Sequence, residues 1–485
     1  MGKEVFQGCS DDAVLTAPFG ITTASASRLF SRMEELMESK VTSSPTTPSR
    51  IDRRTILKGA AAGVAATTLG TVSKRSTFAA PAFLQGGTVV LGVTSDDAPK
   101  IQPLLDDYQA ANNVTIQVEQ GPYTDFQTKL ITNLTQGTGA YDVVSMDDPW
   151  MPQFGGGQFI MNLGELMDER GIEADDDFVP ELIALGDYPP GSGLRGIPWV
   201  GNVQVFAWRT DVLEELELAA PPATWDDVLA YAEAITEAMS GEGVYGIGVR
   251  GAAGNPAATS FLPVLRGYGT DLFDENWEPQ LETDAAMQAI TTHLALAKLA
   301  PPGVETVQHA DMGRNMHQGL IAQSADIWPD QLLQIYDPEL SLVVGKVDIG
   351  AEPAQEGVEP ANMTGNWLLG IPEGSQNVDA ALDFILWFTA PEQQKRLLLE
   401  QNIPATRISV LEDPEAVEVF PFLPGLLAAG RNALPRPRTE HYNAAEAIYG
   451  RYVAEAIAGQ ITGEEAMSRS NQEIRDLMVR EGVLE

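Results

Sequence analysis

Short apolar runs alternate with amphipathic segments in the first part of the chain, from residue 87 onward. Residues 87–94, 114–119 and 141–146 are apolar or alternate apolar and polar side chains, which predicts three short strands. Residues 99–111 and 126–134 carry apolar side chains at helical spacing, which predicts two helices between those strands. This strand–helix alternation is typical of a parallel sheet covered by helices, so the pattern predicts an α/β fold.

Helices dominate the prediction farther along the chain. Thr224 opens a helix that we expect to run to Met239, with Asp227 completing a capping box. Residues 375–388 predict another helix, and the sequence TAPE at 389–392 repeats the same T-x-x-E capping pattern for the helix after it. Residues 443–478 predict two amphipathic helices.

Composition and charge narrow the class of protein. The chain has 485 residues, which suggests two or three domains, and 44% of them are hydrophobic, enough for packed cores. Asp and Glu number 68 against 30 Lys and Arg, so the formal net charge is −38. Such a surface repels phosphate groups and anionic lipids, which argues against a nucleic-acid-binding function. The single cysteine, Cys9, excludes an internal disulfide and a cysteine-rich metal site.

The N-terminal segment has the features of an export signal. Arg53 and Arg54 precede a weakly apolar stretch at 59–72, and small residues near Ala80 or Ala82 suit a cleavage site. The paired arginines resemble the twin-arginine export signal, and the alternative is a surface helix with two adjacent arginines. The stretch is shorter than the roughly 18 apolar residues that a membrane span needs, so cleavage is expected rather than anchoring.

Residues 1–82 are therefore interpreted as an export signal with an N-terminal extension. The arginine pair lies far from Met1, so Met33 and Met37 are alternative starts, with a long leading region as the other explanation. A lipid-anchored protein would carry its cysteine directly after the apolar stretch, whereas Cys9 lies far upstream. We expect an exported, soluble and unlipidated protein, periplasmic or extracellular, with no stable membrane insertion.

Several short motifs occur in a defined order along the rest of the chain. They are GAYDVV (139–144) with Trp150 behind it, GIPW (196–199), FAWRTD (206–211), PATWDD (222–227), PELS (338–341), GKV (345–347), GNWLLGIP (365–372), SQN (375–377), TAPE (389–392) and PATR (404–407). With these motifs the chain resembles the extracellular solute-binding proteins of family 1, the sugar-binding receptors of ABC importers. The resemblance covers roughly residues 87–477, nearly the whole chain after the export signal.

The resemblance implies a two-lobed periplasmic-binding-protein fold of type II, in the α/β class. The first lobe would take residues 83–197 and 371–406, and the second lobe would take 198–370 and the C-terminal helices in 407–485. Strands near 197–204 and 366–372 would cross between the lobes. The ligand would lie in the cleft, and the lobes would close over it by a hinge.

A sugar needs flat aromatic rings against its C–H face and polar side chains around its hydroxyl groups. By family position the aromatic candidates are Trp150, Trp199, Trp328 and Trp367. The polar candidates are Asp96 or its neighbour Asp97, Asp147, Asp148, Asn202, Gln204, Arg250, Asp330 and Asn366. The alternatives are structural roles in the core or, for Asp147 and Asp148, a solvated turn in an acidic chain.

Two classes of function follow. The favoured one is a non-enzymatic, monomeric receptor for a sugar or sugar alcohol that works with the transmembrane subunits of an ABC permease and a cytoplasmic ATPase. The alternative is a secreted carbohydrate-active hydrolase or lyase with two cleft carboxylates, or a receptor for a non-sugar solute. No cofactor and no metal are expected, because the sequence lacks nucleophile, phosphate-loop and zinc motifs and because His309 and His317 have no evident third ligand.

Overall fold

The structure is a computed structural model that describes residues 87–173 and 175–485. The predicted export signal lies outside the described residues. The strands are β1 (Thr88–Thr94), β2 (Thr115–Gly121), β3 (Val143–Asp147), β4 (Ile197–Val200), β5 (Val205–Arg209), β6 (Gln323–Ile327), β7 (Val347–Gly350), β8 (Asn362–Met363), β9 (Trp367–Gly370) and β10 (Ala433–Leu434).

Helices connect and cover these strands. They are α1 (Ala98–Asn112), α2 (Tyr123–Gln136), α3 (Met151–Gly156), α4 (Leu163–Glu169), α5 (Pro180–Ile183), α6 (Thr210–Glu215), α7 (Trp225–Met239), α8 (Asn255–Gly267), α9 (Asp284–Ala297), α10 (His309–His317), α11 (Pro329–Ile335), α12 (Val378–Phe388), α13 (Pro391–Gln401), α14 (Ile408–Leu411), α15 (Pro414–Val419), α16 (Leu423–Arg431), α17 (Tyr442–Ile457) and α18 (Gly463–Arg480).

The predicted alternation at the start of the chain is confirmed. β1, β2 and β3 follow the predicted order with α1 and α2 between them, and β1 pairs in parallel with both other strands. Successive side chains along a strand point to opposite faces of the sheet, so they pack in two different hydrophobic cores. Leu91 and Val143 pack on one face of the sheet, whereas Val144 and Met146 pack on the other. Helices cover both faces of the sheet, which explains why β1 and β3 are mostly buried and apolar, whereas the edge strand β2 alternates apolar and polar residues.

The two predicted helix caps have different outcomes. At the start of α7 the Asp227 amide donates to Thr224 Oγ1 at 3.1 Å, and the Thr224 amide donates to Asp227 Oδ2 at 3.0 Å, so that capping box is confirmed. The capping box predicted at Thr389 is wrong. Its hydroxyl instead donates to the Ile385 carbonyl at 2.8 Å in the last turn of α12, and α13 begins without a side-chain cap.

The first lobe is built on a sheet of five strands in the order β2-β1-β3-β9-β4. β9 is antiparallel to both of its neighbours, β3 and β4. The resemblance assigned residues 198–370 to the second lobe, but β9 and most of β4 hydrogen-bond within this first sheet. The structural border between the lobes therefore falls before β9 and after β4.

The second lobe contains the antiparallel sheet β6-β5-β7 and most of the helices. Phe206 and Trp208 of β5 enter the larger core with α7, α8, α9, α17 and α18, whereas Val205 and Ala207 enter a second core with α10, α11 and α16. The short parallel pair β10-β8 lies beside this lobe. None of the helices in residues 87–173 and 175–485 combines the length and the apolar character that a membrane span requires.

Three short segments carry the chain from one lobe to the other: residues 201–204, 364–366 and 404–407. They are tied together by main-chain hydrogen bonds. The Gly365 amide donates to the Asn202 carbonyl at 2.9 Å, and the Gly201 amide donates to the Pro404 carbonyl at 2.9 Å. We call these the crossing segments. Their mutual bonding makes them a common support on which side chains from both lobes meet.

Candidate ligand-binding site

An aromatic group forms where β3 and β9 reach the crossing segments. The ring of Trp150 is fully buried, and its centroid lies 5.1 Å from Tyr123 and 5.4 Å from Trp367. Tyr123 and Trp367 meet edge to face at 5.9 Å. Tyr123 is 39% exposed and Trp367 is partly exposed. Trp150 is thus a support, and the two rings packed on it are the ones that can present a face to a ligand.

Two buried carboxylates adjoin this aromatic group. Asp147 ends β3, and its Oδ2 accepts the hydroxyl of Tyr123 at 2.8 Å. Asp148 Oδ2 accepts the hydroxyl of Thr364 at 2.7 Å and the main-chain amide of Asn366 at 3.2 Å. Both aspartates are at most 5% exposed. The alternative of a solvated turn for Asp147 and Asp148 is therefore wrong, because a solvated pair would not be enclosed by these donors.

A single arginine bonds to both aspartates. Arg436 lies between β10 and α17, and its Nη2 donates to Asp147 Oδ1 at 3.0 Å and to Asp148 Oδ1 at 3.2 Å. The arginine is 5% exposed, and its Nε has no hydrogen-bond partner in the described part of the chain. The same segment is fixed to the first lobe by Arg438, whose Nη2 donates to the Leu185 carbonyl at 2.8 Å. One guanidinium thus serves two carboxylates, which leaves one excess negative charge at this point.

The pKa values of the cluster follow from its burial. Burial raises the pKa of Asp147 to about 6, against the opposing attraction of Arg436, and the charge of Asp148 adds to the rise. Burial and the charge of Asp147 also raise the pKa of Tyr123 well above its usual value. Tyr123 therefore keeps its proton at neutral pH and acts as a hydrogen-bond donor to Asp147.

The side chain of Asn366 is polar, buried and adjacent to the aromatic group. It is fully buried, yet neither Oδ1 nor Nδ2 has a hydrogen-bond partner within residues 87–173 and 175–485. It stands directly before Trp367, in the crossing segment whose main chain bonds to Asp148. A buried carboxamide without partners costs free energy, so a ligand or water that accepts from Nδ2 and donates to Oδ1 would stabilise it.

These residues together form what we call the first-lobe cluster. Its members are Tyr123, Asp147, Asp148, Trp150, Asn366, Trp367 and Arg436. Tyr123 and Arg436 are absent from the residues predicted from the sequence. Tyr123 follows the carboxyl end of β2, a position that sequence analysis could have weighted, because parallel strands deliver ligand-binding residues at that edge.

A second polar group lies inside the second lobe. Asp326 receives two bonds from Arg250, of which that from Nη2 to Oδ1 is 2.6 Å long. Asp326 Oδ1 also accepts the Trp328 indole N–H at 2.9 Å and the Gln204 amide at 2.7 Å. Arg250 Nη2 further donates to Thr259 Oγ1 at 2.5 Å. We call these residues the second-lobe cluster.

This cluster is enclosed and balanced in charge. Arg250 and Asp326 are at most 3% exposed, and Trp328 is 7% exposed. Three predicted ligand residues, Gln204, Arg250 and Trp328, therefore meet one another around Asp326, a residue that the sequence analysis did not single out. Their bonds lie mostly within the cluster, although Gln204 Oε1 has no partner.

Glu352 is a second buried acid of this lobe that the sequence analysis missed. It is 2% exposed, and neither carboxyl oxygen has a hydrogen-bond partner among the described residues. Burial, and secondarily the charge of Asp326, raises the pKa of Glu352 well above its usual value. No sequence pattern distinguishes it from the other acids of this chain, because it lies in a loop without periodicity.

A third group of charges involves both lobes. Asp330 lies in the first turn of α11, and His309 Nε2 lies 3.0 Å from its Oδ2. In the first lobe Asp97 accepts the Thr94 hydroxyl at 2.8 Å, with Lys100 3.8 Å away. Burial alone would raise the pKa of Asp330, but His309, helped by Lys100, lowers it below the usual value. The predicted Asp96 is exposed beside this group.

Trp199 and Asn202 occupy different surroundings from the clusters. Trp199 is fully buried, its indole N–H donates to Ser145 Oγ at 3.0 Å, and its ring meets Phe388 at 5.5 Å. That places it in the core of the first lobe, where no ring face is free. Asn202 lies in the first crossing segment, and its buried Oδ1 has no hydrogen-bond partner among the described residues.

Within residues 87–173 and 175–485, no group of three or more His, Cys, Asp or Glu side chains is arranged to hold a metal ion. The aspartates of both clusters are instead bonded to arginine, hydroxyl and amide donors. Such pairings serve orientation and hydrogen bonding rather than metal coordination.

Comparison with known proteins agrees with this architecture. The family model described as bacterial extracellular solute-binding protein matches residues 92–395. A probable amino-acid ABC transporter periplasmic-binding protein of Sinorhizobium fredii is 27% identical over 78% of this chain and 86% of its own length. An erythritol/L-threitol-binding protein of Mycolicibacterium smegmatis is 24% identical over 66% of this chain and 68% of its own length.

Solved structures show the same fold. A solute-binding protein of Agrobacterium radiobacter K84 in complex with ribitol has a TM-score of 0.74 at 24% identity, covering 81% of this chain and 100% of that chain. A maltose-bound protein of T. maritima has a TM-score of 0.70 at 25% identity, with the same coverage of 81% and 100%. With two lobes, three crossing segments and a family match over most of the described residues, the chain belongs to the bacterial extracellular solute-binding proteins.

Proposed function

We propose that this solute-binding protein is the exported receptor of an ABC importer and that it captures a sugar or a sugar alcohol at the first-lobe cluster. The observation that carries the proposal is Asn366, whose buried carboxamide has no partner at Oδ1 or Nδ2 in the part of the chain that the structure describes, beside the partly exposed ring of Trp367. A hydroxyl group both donates and accepts, so neighbouring hydroxyls of one ligand can serve both atoms.

The aromatic rings favour the same ligand class. Tyr123 and Trp367 can present ring faces to the C–H side of a sugar or polyol. The carboxylates of Asp147 and Asp148 lie beside these rings. The relatives that bind ribitol, erythritol and maltose support this class. In the proposed mechanism, the ligand bridges the lobes and stabilises their closed arrangement, which the permease then recognises.

An amino-acid ligand, which the name of the Sinorhizobium relative suggests, fits less well. An α-carboxylate requires a cation that is not already neutralised. The arginines of the two clusters, Arg250 and Arg436, are both bonded to aspartates. The excess charge beside Arg436 is negative, which adds repulsion toward a ligand carboxylate.

The hydrolase alternative has no support in the site. A glycosidase places two carboxyl groups on opposite sides of the scissile bond, about 5 to 9.5 Å apart. Asp147 and Asp148 are adjacent in the chain, and both accept from the same nitrogen of Arg436. We therefore propose a receptor that releases its ligand unchanged.

Thermal unfolding of the chain without its export signal tests the ligand class. The panel contains monosaccharides, disaccharides, polyols and amino acids. A true ligand at about 100 times its Kd adds roughly 2.7 kcal/mol to the free energy of unfolding. Stabilisation by amino acids alone, with none by any sugar or polyol, would overturn the proposed ligand class.

Asn366→Ala then tests the site. We expect affinity to fall about 10- to 100-fold, or about 1.4 to 2.7 kcal/mol. We expect little loss of stability, because the Asn366 side chain has no hydrogen bond to lose among the described residues. The matched control is Asn432→Ala, an exposed asparagine in the second lobe that should leave affinity unchanged. Equal affinity in wild type and Asn366→Ala would place the ligand elsewhere.

A further inference from the structure

The indole of Trp328 is held in one orientation by the second lobe. Its N–H donates to Asp326 Oδ1 at 2.9 Å, and its main-chain amide donates to Gln331 Oε1 at 3.0 Å. Asp326 is itself fixed by the guanidinium of Arg250. A ring bonded at its nitrogen to a buried, charge-paired carboxylate cannot rotate without breaking that bond.

The opposite edge of this ring rests on the main chain of Gly365. A Cβ placed at residue 365 would lie 2.5 Å from Trp328 Cζ3 and 2.9 Å from Cη2, closer than real Cβ contacts permit. Gly365 is not among the glycines with positive φ. Its lack of a side chain is therefore required by space for the indole and not by backbone conformation.

Gly365 lies in the middle of a crossing segment. On one side Thr364 Oγ1 donates to Asp148 Oδ2 at 2.7 Å, and on the other the Asn366 amide donates to the same oxygen at 3.2 Å. Gly365 itself donates to the Asn202 carbonyl at 2.9 Å in another crossing segment. The benzene edge of Trp328, in the second lobe, therefore packs on a crossing segment that is hydrogen-bonded to Asp148 of the first lobe.

We propose that Trp328 and Asp326 are positioning residues for ligand capture, and that the packing of Trp328 on Gly365 sets the resting angle between the lobes. Asp326 accepts the indole N–H of Trp328, and the opposite edge of the indole packs on Gly365. Gly365 directly precedes Asn366, so its position affects that of Asn366 in the proposed binding site. The part of this inference that concerns affinity rests on the proposed function, whereas the part that concerns the lobe angle does not.

A double-mutant cycle of Gly365→Ala and Trp328→Phe tests the coupling. Phenylalanine lacks the outer ring atoms that an alanine methyl group would meet. The lobe angle is measured without ligand by energy transfer between dyes on Thr132→Cys in the first lobe and Gln288→Cys in the second, both at exposed positions. The chain after the export signal has no cysteine of its own, so labelling is specific.

We expect Gly365→Ala to shift the distance between the dyes and to lower affinity about tenfold for whichever sugar or polyol stabilises the wild type. In the Trp328→Phe background the same glycine change should alter affinity less than twofold and leave the distance unchanged. Trp328→Phe alone should broaden the distance distribution, which keeps the proposal testable if Gly365→Ala does not fold.

Gly350 and Trp208 provide a matched control within the second lobe. A Cβ at residue 350 would lie 3.2 Å from Trp208 Cζ3 and 3.3 Å from Cη2, again a glycine against a tryptophan edge, but away from the crossing segments. The cycle of Gly350→Ala and Trp208→Phe should leave the dye distance and affinity unchanged.

Two results would overturn the coupling. One is an unchanged dye distance in both Gly365→Ala and Trp328→Phe, and the other is an equal effect of Gly365→Ala with tryptophan or phenylalanine at residue 328. A panel in which no sugar or polyol binds would instead refute the proposed function, because the distance measurement in ligand-free protein is independent of it.

Discussion

The first-lobe and second-lobe clusters use the same residue types in different ways. In the second-lobe cluster one arginine, Arg250, meets one carboxylate, Asp326, and the tryptophan beside them is 7% exposed. In the first-lobe cluster one arginine serves two carboxylates, and Tyr123 is 39% exposed. Charge balance and closure mark a cluster that orients side chains. Excess charge, partly exposed rings and the Asn366 carboxamide are the features on which the proposed ligand site in the first-lobe cluster rests.

The largest expected effect comes from Arg436→Met, which tests whether the first-lobe cluster also stabilises the fold. Removing the guanidinium leaves Asp147 and Asp148 buried without a cation, so we expect the free energy of unfolding to fall by about 3–5 kcal/mol. Urea unfolding measures it. Arg250→Met should cost a similar amount, because it leaves Asp326 equally unpaired. A loss below about 1 kcal/mol for Arg436→Met would show that water replaces the arginine.

Glu352→Gln tests the raised pKa of a buried acid in the second lobe, through the dependence of stability on pH. Because the pKa of Glu352 is raised in the folded state, its proton is retained there after the unfolded chain has lost its own. Its stabilising contribution is complete below the unfolded pKa near 4.5 and is lost as pH rises through the raised folded pKa. We expect Glu352→Gln to match the wild type near pH 4 and to exceed it by about 1–3 kcal/mol near pH 8. Parallel stability–pH curves would contradict this assignment.

Tyr123→Phe removes one donor from the first-lobe cluster. The hydroxyl donates to Asp147 and accepts the Trp150 indole N–H at 3.2 Å, so its loss leaves both groups short of a partner. We expect stability to fall by about 1 kcal/mol, with a weaker affinity for the ligand. Calorimetric titration and urea unfolding separate the two effects. Tyr268→Phe, which removes a partly buried hydroxyl in the second lobe, is the control for affinity.

Asp330→Asn has the smallest expected effect. The side chains of Asp330 and His309 are 36% and 43% exposed, so their ion pair is screened by solvent. We expect a change in stability of at most about 1 kcal/mol near pH 6, smaller still in high salt. A larger change in stability, or one that persists in high salt, would show that this group of charges is shielded from solvent.

Local patterns made much of the fold predictable. β1–β3, α1, α2 and the Thr224 cap follow from periodicity and capping chemistry, because these signals lie in residues that are close together in the sequence. The Thr389 prediction failed because a hydroxyl at a helix border can bond to the turn before it as well as to the turn after it.

The site was only partly predictable. Asp147, Asp148, Asn366 and Trp367 belong to the ordered motifs or stand at the ends of predicted strands, and the structure brings them together. Their cation could not be foreseen, because Arg436 reaches them from a distant segment without any periodic pattern. Trp199 was expected at a cleft, but its neighbours in sequence do not reveal that Ser145 and Phe388 enclose it.

The position of β9 has a consequence for how the protein is made. Strand β3 can pair with β1 once residue 147 has left the ribosome, but β9, its partner on the other side, begins only at residue 367, and Val144 pairs with Gly370. Until then the nascent chain exposes an unpaired apolar edge, the kind of surface that chaperones cover. The first lobe can therefore finish folding only after most of the second has been synthesised.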